Sequence, residues 1–248
     1  MNLILLEPGE ITESDEVRLT GARADHVRHV LKAAPGSRVR IGVIDGAHGV
    51  GIVQSVGDRE IILRGELDAT IPPRPRVDLL LALPRPKVMR RLWAQIAALG
   101  VGQIVLTNAE RVERNYFDTH VLTPDCYRPL LIEGLQQARD TRLPIVSIHR
   151  QFKILVEDDL DGLFASGVRT IADPAATASP RDVLPADGNP PVLLAVGPEG
   201  GWNAFEQQLL AAHGFHAIGM GVRTLRTDTA CLALLALVHD AVNDSRAS

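Results

Sequence analysis

The residues with the most chemical potential lie between Val192 and Ala230, in VLLAVGPEGGWNAFE and, a helix-length later, AIGMGVRTLRTDTA. Each segment holds a glycine turn. Gly197-Pro198-Glu199-Gly200-Gly201 follows one short apolar run; Gly219-Met220-Gly221 follows another, with Arg223, Leu225 and Arg226 behind it. Pro198 fixes one φ angle, whereas Gly200 and Gly201 admit positive φ and let a ligand approach the main chain with no Cβ in the way. A helix after each turn would offer unpaired N–H groups. Arg223 and Arg226 suit a carboxylate, a phosphate or a developing oxyanion. Glu199 and Asp228 are candidate proton acceptors. Asp228 also suits the first turn of a helix capped by Thr227, where it would complement the helix dipole. Neither turn carries the G-x-x-x-x-G-K-[ST] or G-x-G-x-x-G spacing, which argues against a nucleoside triphosphate or NAD.

Two such turns, about one βα unit apart, belong side by side at the carboxyl edge of a parallel sheet, where open α/β folds bind ligands. The rhythm from Val77 onward predicts that sheet. Strands are expected at Val77–Leu83, Gln103–Thr107, Ile145–Ile148, Val168–Ile171, Val192–Val196 and Ala217–Ile218. Helices are expected at Val88–Leu99, Asp125–Arg139, Phe152–Phe164, Ala204–His213 and Asp228–Val242, giving an α/β domain over 77–248. The loop Asp173–Pro191 is long for a compact domain, which marks it as functional or disordered.

Residues 1–70 read differently. Short alternating runs at Leu3–Leu6, Glu16–Leu19, Arg38–Ile44, Gly49–Val56 and Glu60–Leu67, joined by tight turns, predict a small β-barrel. One helix, Ala22–Ala34, is expected to bury Val27, Val30 and Leu31 and to stop at Pro35-Gly36. Its basic face, with Arg23, Arg28 and Lys32, is a candidate contact for RNA phosphates. His26 and His29 lack a third ligand, so no metal site is expected. Three prolines within ATIPPRPR, and residues 71–76 in particular, read as a semi-rigid linker between the two domains.

Composition bounds the rest. A net charge of −4 argues against a protein that grips nucleic acid by bulk charge. Between Arg74 and Arg91, however, six basic residues face one acid, a local positive patch in which Arg85 and Lys87 are candidate RNA contacts. With aromatic residues at 4%, recognition would rest on Arg and Lys rather than on a stacking platform. No apolar run is long enough to span a bilayer, so no membrane partner is expected. MNLILLEPGE lacks the features of a secretory signal, and Cys126 and Cys231 lack metal-ligand spacing; a cytoplasmic location with reduced thiols is expected.

GPEGG with Trp202 and Glu206 behind it, together with G-x-R-x-L-R-T-[DE]-T-A at 221–230, resembles the RsmE family of SPOUT methyltransferases. The resemblance extends over the whole chain, including H-x-x-x-V-L-(K/R) at His26–Lys32 and Pro35-Gly36. It implies an α/β-knot fold: a C-terminal trefoil knot on a parallel sheet from about Thr170 onward, behind an N-terminal PUA-like β-barrel. It implies a homodimer that transfers a methyl group from S-adenosylmethionine to N3 of a uridine in 16S rRNA of the 30S ribosomal subunit. By similarity the cofactor meets Leu194, Gly197, Gly200 and Gly201 from the first turn and Ile218, Met220, Leu225 and Arg226 from the second. Arg226 or Arg223 would stabilise charge on a uracil oxygen, and Glu199 or Asp228 would take the N3 proton. The chain departs from the family pattern at Gln95 and Ala98, where Q-K-x-x-E-L-G is usual, and at Asp140, where an arginine is displaced to Arg139. Asp228 replaces the usual glutamate. Alternatives are a SPOUT enzyme acting on another base or on a ribose 2′-oxygen, and an inert RNA-binding or ribosome-assembly factor.

Overall fold

A computed structural model describes residues 3–185, 190–223 and 225–243. The chain divides into two compact units, Met1–Arg74 with Ile132–Leu143, and Pro75–Leu131 with Pro144–Ser248.

In the first unit, β1 (Ile4–Leu6), β2 (Glu16–Thr20), β3 (Arg38–Val43), β4 (His48–Val56) and β5 (Glu60–Leu67) form a five-stranded sheet in the order β1-β3-β4-β5-β2. Only the β1–β3 pairing is parallel. Alternation puts Val17, Leu19, Val39, Ile41, Ile61 and Leu63 on one buried face. Helix α1 (Gly21–Asp25) adds Ala24 to that core and runs into a wider π-turn at His26–Val30. The structure corrects the expected helix here. The extra residue in the π-turn rotates Val30 and Leu31 off the apolar stripe. Val27 is fully buried, but Val30 is 64% exposed and Leu31 is also exposed. The helical path then ends at Lys32, whose φ is +50°, before Pro35-Gly36 is reached.

The second unit begins with β6 (Val77–Ala82), α2 (Pro86–Ala98) and β7 (Val101–Thr107). On α2, Met89, Leu92, Trp93, Ile96 and Ala97 form the buried stripe, and Gly100, at φ +80°, turns the chain into β7. Two 3₁₀ turns (Arg114–Asp118 and His120–Leu122) lead to α3 (Pro124–Ala138) and β8 (Ile145–His149). The expected helix over Phe152–Phe164 is broken: α4 (Phe152–Ile154) and α5 (Leu160–Leu163) flank a π-turn at Leu155–Asp159. Then come β9 (Val168–Ala172), α6 (Pro180–Val183), β10 (Val192–Val196), α7 (Ala204–Ala212), β11 (Phe215–Ile218) and α8 (Thr227–Asn243).

These six strands form one parallel sheet in the order β11-β9-β10-β6-β7-β8. Strand β10 therefore occupies the slot between β9 and β6, although β6 precedes it by more than a hundred residues. Its five residues are all buried, as a strand covered on both faces requires. Helix α8 packs its Cys231, Leu234, Leu235 and Val238 stripe toward β6 and β10, and Arg76 donates to the Val242 carbonyl near its end. The long 173–191 loop carries α6, closed by a reciprocal cap between Ser179 and Asp182; residues 186–189 of that loop lie outside the described residues. No described helix is long and apolar enough to cross a membrane.

Candidate cofactor cavity

Register brings the carboxyl ends of three neighbouring strands level. Ala195 pairs with Ile171, and Ile218 with Ala172, so the chain leaves β9, β10 and β11 at one edge. The loops after them enclose a cavity of about 320 Å³, a size suited to a small organic ligand. The loop after β9 contributes Asp173 and Pro174, the first glycine turn contributes Gly197 to Trp202, and the second contributes Gly219 to Gly221, Arg223 and Leu225. Helix α8 closes it with Thr227, Ala230 and Leu234.

Local chemistry holds each wall. Gly201 has φ +72° and donates its N–H to the Pro198 carbonyl at 2.8 Å, which makes GPEGG a tight turn. Behind it, Asn203 and Glu206 cap α7 reciprocally: Asn203 Oδ1 accepts from Glu206 N and Glu206 Oε2 from Asn203 N, both at 2.8 Å. Glu206 is buried, and its second oxygen accepts from Glu110 N at 2.7 Å, tying the turn to the chain after β7. From that same segment Arg111 Nη1 donates to the Gly200 carbonyl. A Cβ at Gly200 would stand 2.8 Å from Arg111 Cδ, and one at Gly197 would stand 3.1 Å from the Trp202 ring. The glycines thus allow close packing from behind as well as ligand approach from the front. Trp202 is buried against Phe152, with ring centroids 5.3 Å apart. The second turn is bound to the first loop: Asp173 N donates to Ile218 O at 3.0 Å and Gly219 N to Ala178 O at 2.8 Å.

Of the eight residues expected at the cofactor, Gly197, Gly200, Gly201, Ile218, Met220 and Leu225 line this cavity. Leu194 and Arg226 do not. Leu194 is fully buried inside β10, two residues short of the strand end, and the Arg226 side chain is 78% exposed. The four expected catalytic residues separate as well. Glu199 and Arg223 line the cavity, and Glu199 Oε1 accepts from Arg85 N at 3.3 Å. Asp228 lies outside it, ion-paired with Arg91 at 2.6 Å and hydrogen-bonded to Thr229 N. Thr227 forms the first helical residue rather than the cap, since the Arg226 carbonyl already accepts from Ala230 N. Cys231, behind Asp228, is buried and its thiol is pushed up to about 12 by burial, with the Asp228 charge adding to the effect, so it stays protonated. Sequence reasoning missed Asp173, Glu206's second bond and Arg111, because each acts across 45 to 96 residues of chain or through a loop with no motif.

The expected RNA contacts fare unevenly. Arg23 spends its guanidinium inside the first unit, donating to both Glu10 oxygens at 2.6 and 2.7 Å and to Leu5 O. Arg28 donates to Asp25 and to the Gly57 carbonyl, with a mostly covered side chain. Lys32 remains exposed. The basic run Arg74–Arg91 is only partly free. Arg76 is spent on the end of α8 and Arg91 on Asp228, whereas Arg85, Lys87 and Arg90 are exposed at and along α2.

Residues 72–239 match the family model described as an RNA methyltransferase domain. The ribosomal RNA small subunit methyltransferase E of Treponema pallidum is 30% identical, over 96% of this chain and 90% of its own. The protein called ribosomal RNA small subunit methyltransferase E 1 of Borreliella burgdorferi is 24% identical, over 94% and 95%. Among solved structures, the ribosomal RNA small subunit methyltransferase E of Neisseria gonorrhoeae, bound to S-adenosyl methionine, shares the fold at a TM-score of 0.77 and 20% identity, covering 97% of both chains. A probable rRNA-methyltransferase of Porphyromonas gingivalis does so at 0.77 and 21%, covering 98% of this chain and 99% of its own. With two glycine turns at one sheet edge, a family match across most of the chain and a relative aligned over nearly all of it, the chain belongs to the ribosomal RNA small subunit methyltransferase E family of RNA methyltransferases.

Proposed function

We propose that the chain transfers a methyl group from S-adenosylmethionine to N3 of a uridine in the 16S rRNA of the small ribosomal subunit. The observation that carries this reading is the composition of the cavity. Main chain from two glycine turns and the apolar side chains of Val196, Ile218, Met220, Leu225 and Leu234 make most of the wall; Asp173, Glu199 and Arg223 are its charged members. Trp202 Nε1 is buried at this wall without a hydrogen-bond partner, a donor suited to a ligand acceptor. These residues fit S-adenosylmethionine: glycine main chain for the polar edge of the adenine, apolar groups beside the sulfonium, and Asp173 for a cationic or hydroxyl group. When bound, that cofactor supplies a methyl group on positively charged sulfur.

The chain's own residues then have two tasks. Uracil N3 carries a proton, so its N–H bond must break as the N–C bond forms. Glu199, at the cavity and with no ion pair to a basic side chain among the described residues, is the proton acceptor in this reading; Asp228, held by Arg91 outside the cavity, is not. Arg223 stabilises the negative charge that develops on the uracil oxygens, with Arg226 exposed beside it to meet RNA. Arg85 and Lys87 belong to the same RNA-facing set.

The same reading takes the segment from Thr170 to Asn243 as a trefoil knot threaded by α8, supported by the insertion of β10 between β9 and β6. It takes the first unit as a PUA-like RNA-binding domain, supported by its five-stranded sheet with α1 on its core. It includes a cytoplasmic homodimer. Calorimetry with S-adenosylmethionine tests the cavity: Met220→Glu and Gly201→Val should abolish binding that the parent shows. Binding unchanged in both would place the cofactor elsewhere.

A further inference from the structure

Strand β3 alternates Arg38 and Arg40 outward around buried Val39. Both arginines line a cleft of about 480 Å³ on the first unit, together with Lys32, His26 and Arg139, and among the described residues no acidic side chain lines it. Among the described residues, none of these four cations hydrogen-bonds to or pairs with a carboxylate, in contrast with Arg23 and Arg28 of the same unit. His26 Nε2 is buried without a hydrogen-bond partner. An adjoining hollow shares Arg40 and Arg139 but contains Asp68, so the purely cationic surface ends there.

The backbone adds a second, independent observation. Lys32 and Arg139 follow the ends of helical segments with φ of +50° and +60°, where glycine is the residue of least strain. Elsewhere the chain does use glycine in that role, at Gly100 after α2 and at Gly214 near the end of α7, both at φ +80°. Asp15 and Asp45 share this backbone conformation, but of the four such residues only the two cations, Lys32 and Arg139, line the cleft.

We propose that this cleft binds two neighbouring phosphates of a single-stranded RNA segment, with Arg38 and Arg40 on one side and Lys32 and Arg139 on the other. The assignment rests on the RNA methyltransferase reading and adds a recognition site to it. On a chain of net charge −4, bulk attraction for RNA is absent, and a concentrated group of unpaired cations is what can hold a polyanion. A flexible single strand can bend two neighbouring phosphates onto the cleft wall, whereas an A-form duplex presents its phosphates in a fixed geometry.

The test is fluorescence anisotropy with a short labelled oligouridylate and a labelled RNA duplex over a range of salt concentrations. The proteins are the full-length parent, an R38A/R40A variant and a K32G/R139G variant. Each double variant should bind the oligouridylate about tenfold more weakly and lower the slope of log affinity against log salt by about 0.7, half of the about 1.4 that two phosphates contribute. The K32G/R139G variant should melt no lower than the parent, because glycine adopts those backbone angles freely. S-adenosylmethionine affinity should be unchanged in both. Parent-like affinity and slope in both variants would overturn the proposal, as would tighter binding of the duplex than of the single strand. A parent that binds the oligouridylate through these residues yet transfers no methyl group would sink the enzymatic reading and support the cleft.

Discussion

At the scale of single residues, charge placement decides roles that residue type leaves open. Glu199 in the first glycine turn and Asp228 behind the second are both carboxylates of the site motifs, yet only Glu199 reaches the cavity. Glu199→Gln keeps an acceptor for Arg85 N and removes the base; it should lower kcat about 10²-fold or more while S-adenosylmethionine affinity stays near the parent's. Asp228→Asn should retain most of the activity, since its carboxylate faces Arg91 outside the cavity. Equal losses in the two variants would contradict the assignment. Arg23 is the reverse case, a cation whose partner was not apparent from sequence because Glu10 lies 13 residues away, in the connection between β1 and β2. Its guanidinium holds the Glu10 carboxyl below the usual carboxylate range. A depressed carboxylate stabilises the fold above its unfolded pKa, and that stabilisation disappears as pH falls through the lower folded value. Arg23→Ala should therefore cost about 1–2 kcal/mol near neutral pH, with the gap to the parent closing in acid, and should leave the salt slope of RNA binding unchanged. Denaturant melts at the two pH values, with anisotropy on the same samples, check both halves.

At the scale of elements, the strand and helix rhythm was legible because the apolar periods are strong. Every expected strand is present, with ends displaced by two residues at most. What periodicity could not show is winding. Val27, Val30 and Leu31 carry the spacing of a buried helical face, and the π-turn that moves Val30 and Leu31 outward leaves no trace in that spacing. The glycine turns were legible as turns, but what holds them from behind was not: Arg111, and Glu110 whose N–H the Glu206 carboxylate accepts, come from a segment distant in sequence. Arg111→Ala should therefore weaken cofactor binding about tenfold by releasing the Gly200 carbonyl while leaving the melting temperature close to the parent's. Faster amide exchange confined to 197–202 would support this; an unchanged affinity would deny Arg111 that role. Gly219 is held more severely. A Cβ there would collide with the Ala176 carbonyl, a main-chain atom that cannot rotate away, so Gly219→Ala should cost about 1–3 kcal/mol as well as cofactor affinity. Chemical denaturation of the variant measures the first and calorimetry the second.

At the scale of the whole molecule, a chain with overall negative charge has to localise its contacts with RNA. The sequence suggested that localisation at 74–91, but two of its arginines are engaged by α8, while Arg85, Lys87 and Arg90 stay exposed at and along α2. A second group of cations with no carboxylate partner among the described residues is assembled from Lys32, Arg38, Arg40 and Arg139, which only the fold of the first unit brings together. The cofactor cavity, by contrast, was readable in outline, because both turns lie within forty residues and their glycines mark them. The substitutions at Gln95 and Ala98 lie on α2, and neither residue lines the cavity. Methyl transfer to uridine N3 in the small-subunit RNA can be read out by incubating 30S subunits lacking the modification with the protein and isotopically labelled S-adenosylmethionine, then resolving the digested nucleosides by mass spectrometry. Label in 3-methyluridine is the expected result. Label in a 2′-O-methyl nucleoside or another base, or no label in RNA at all, would contradict it.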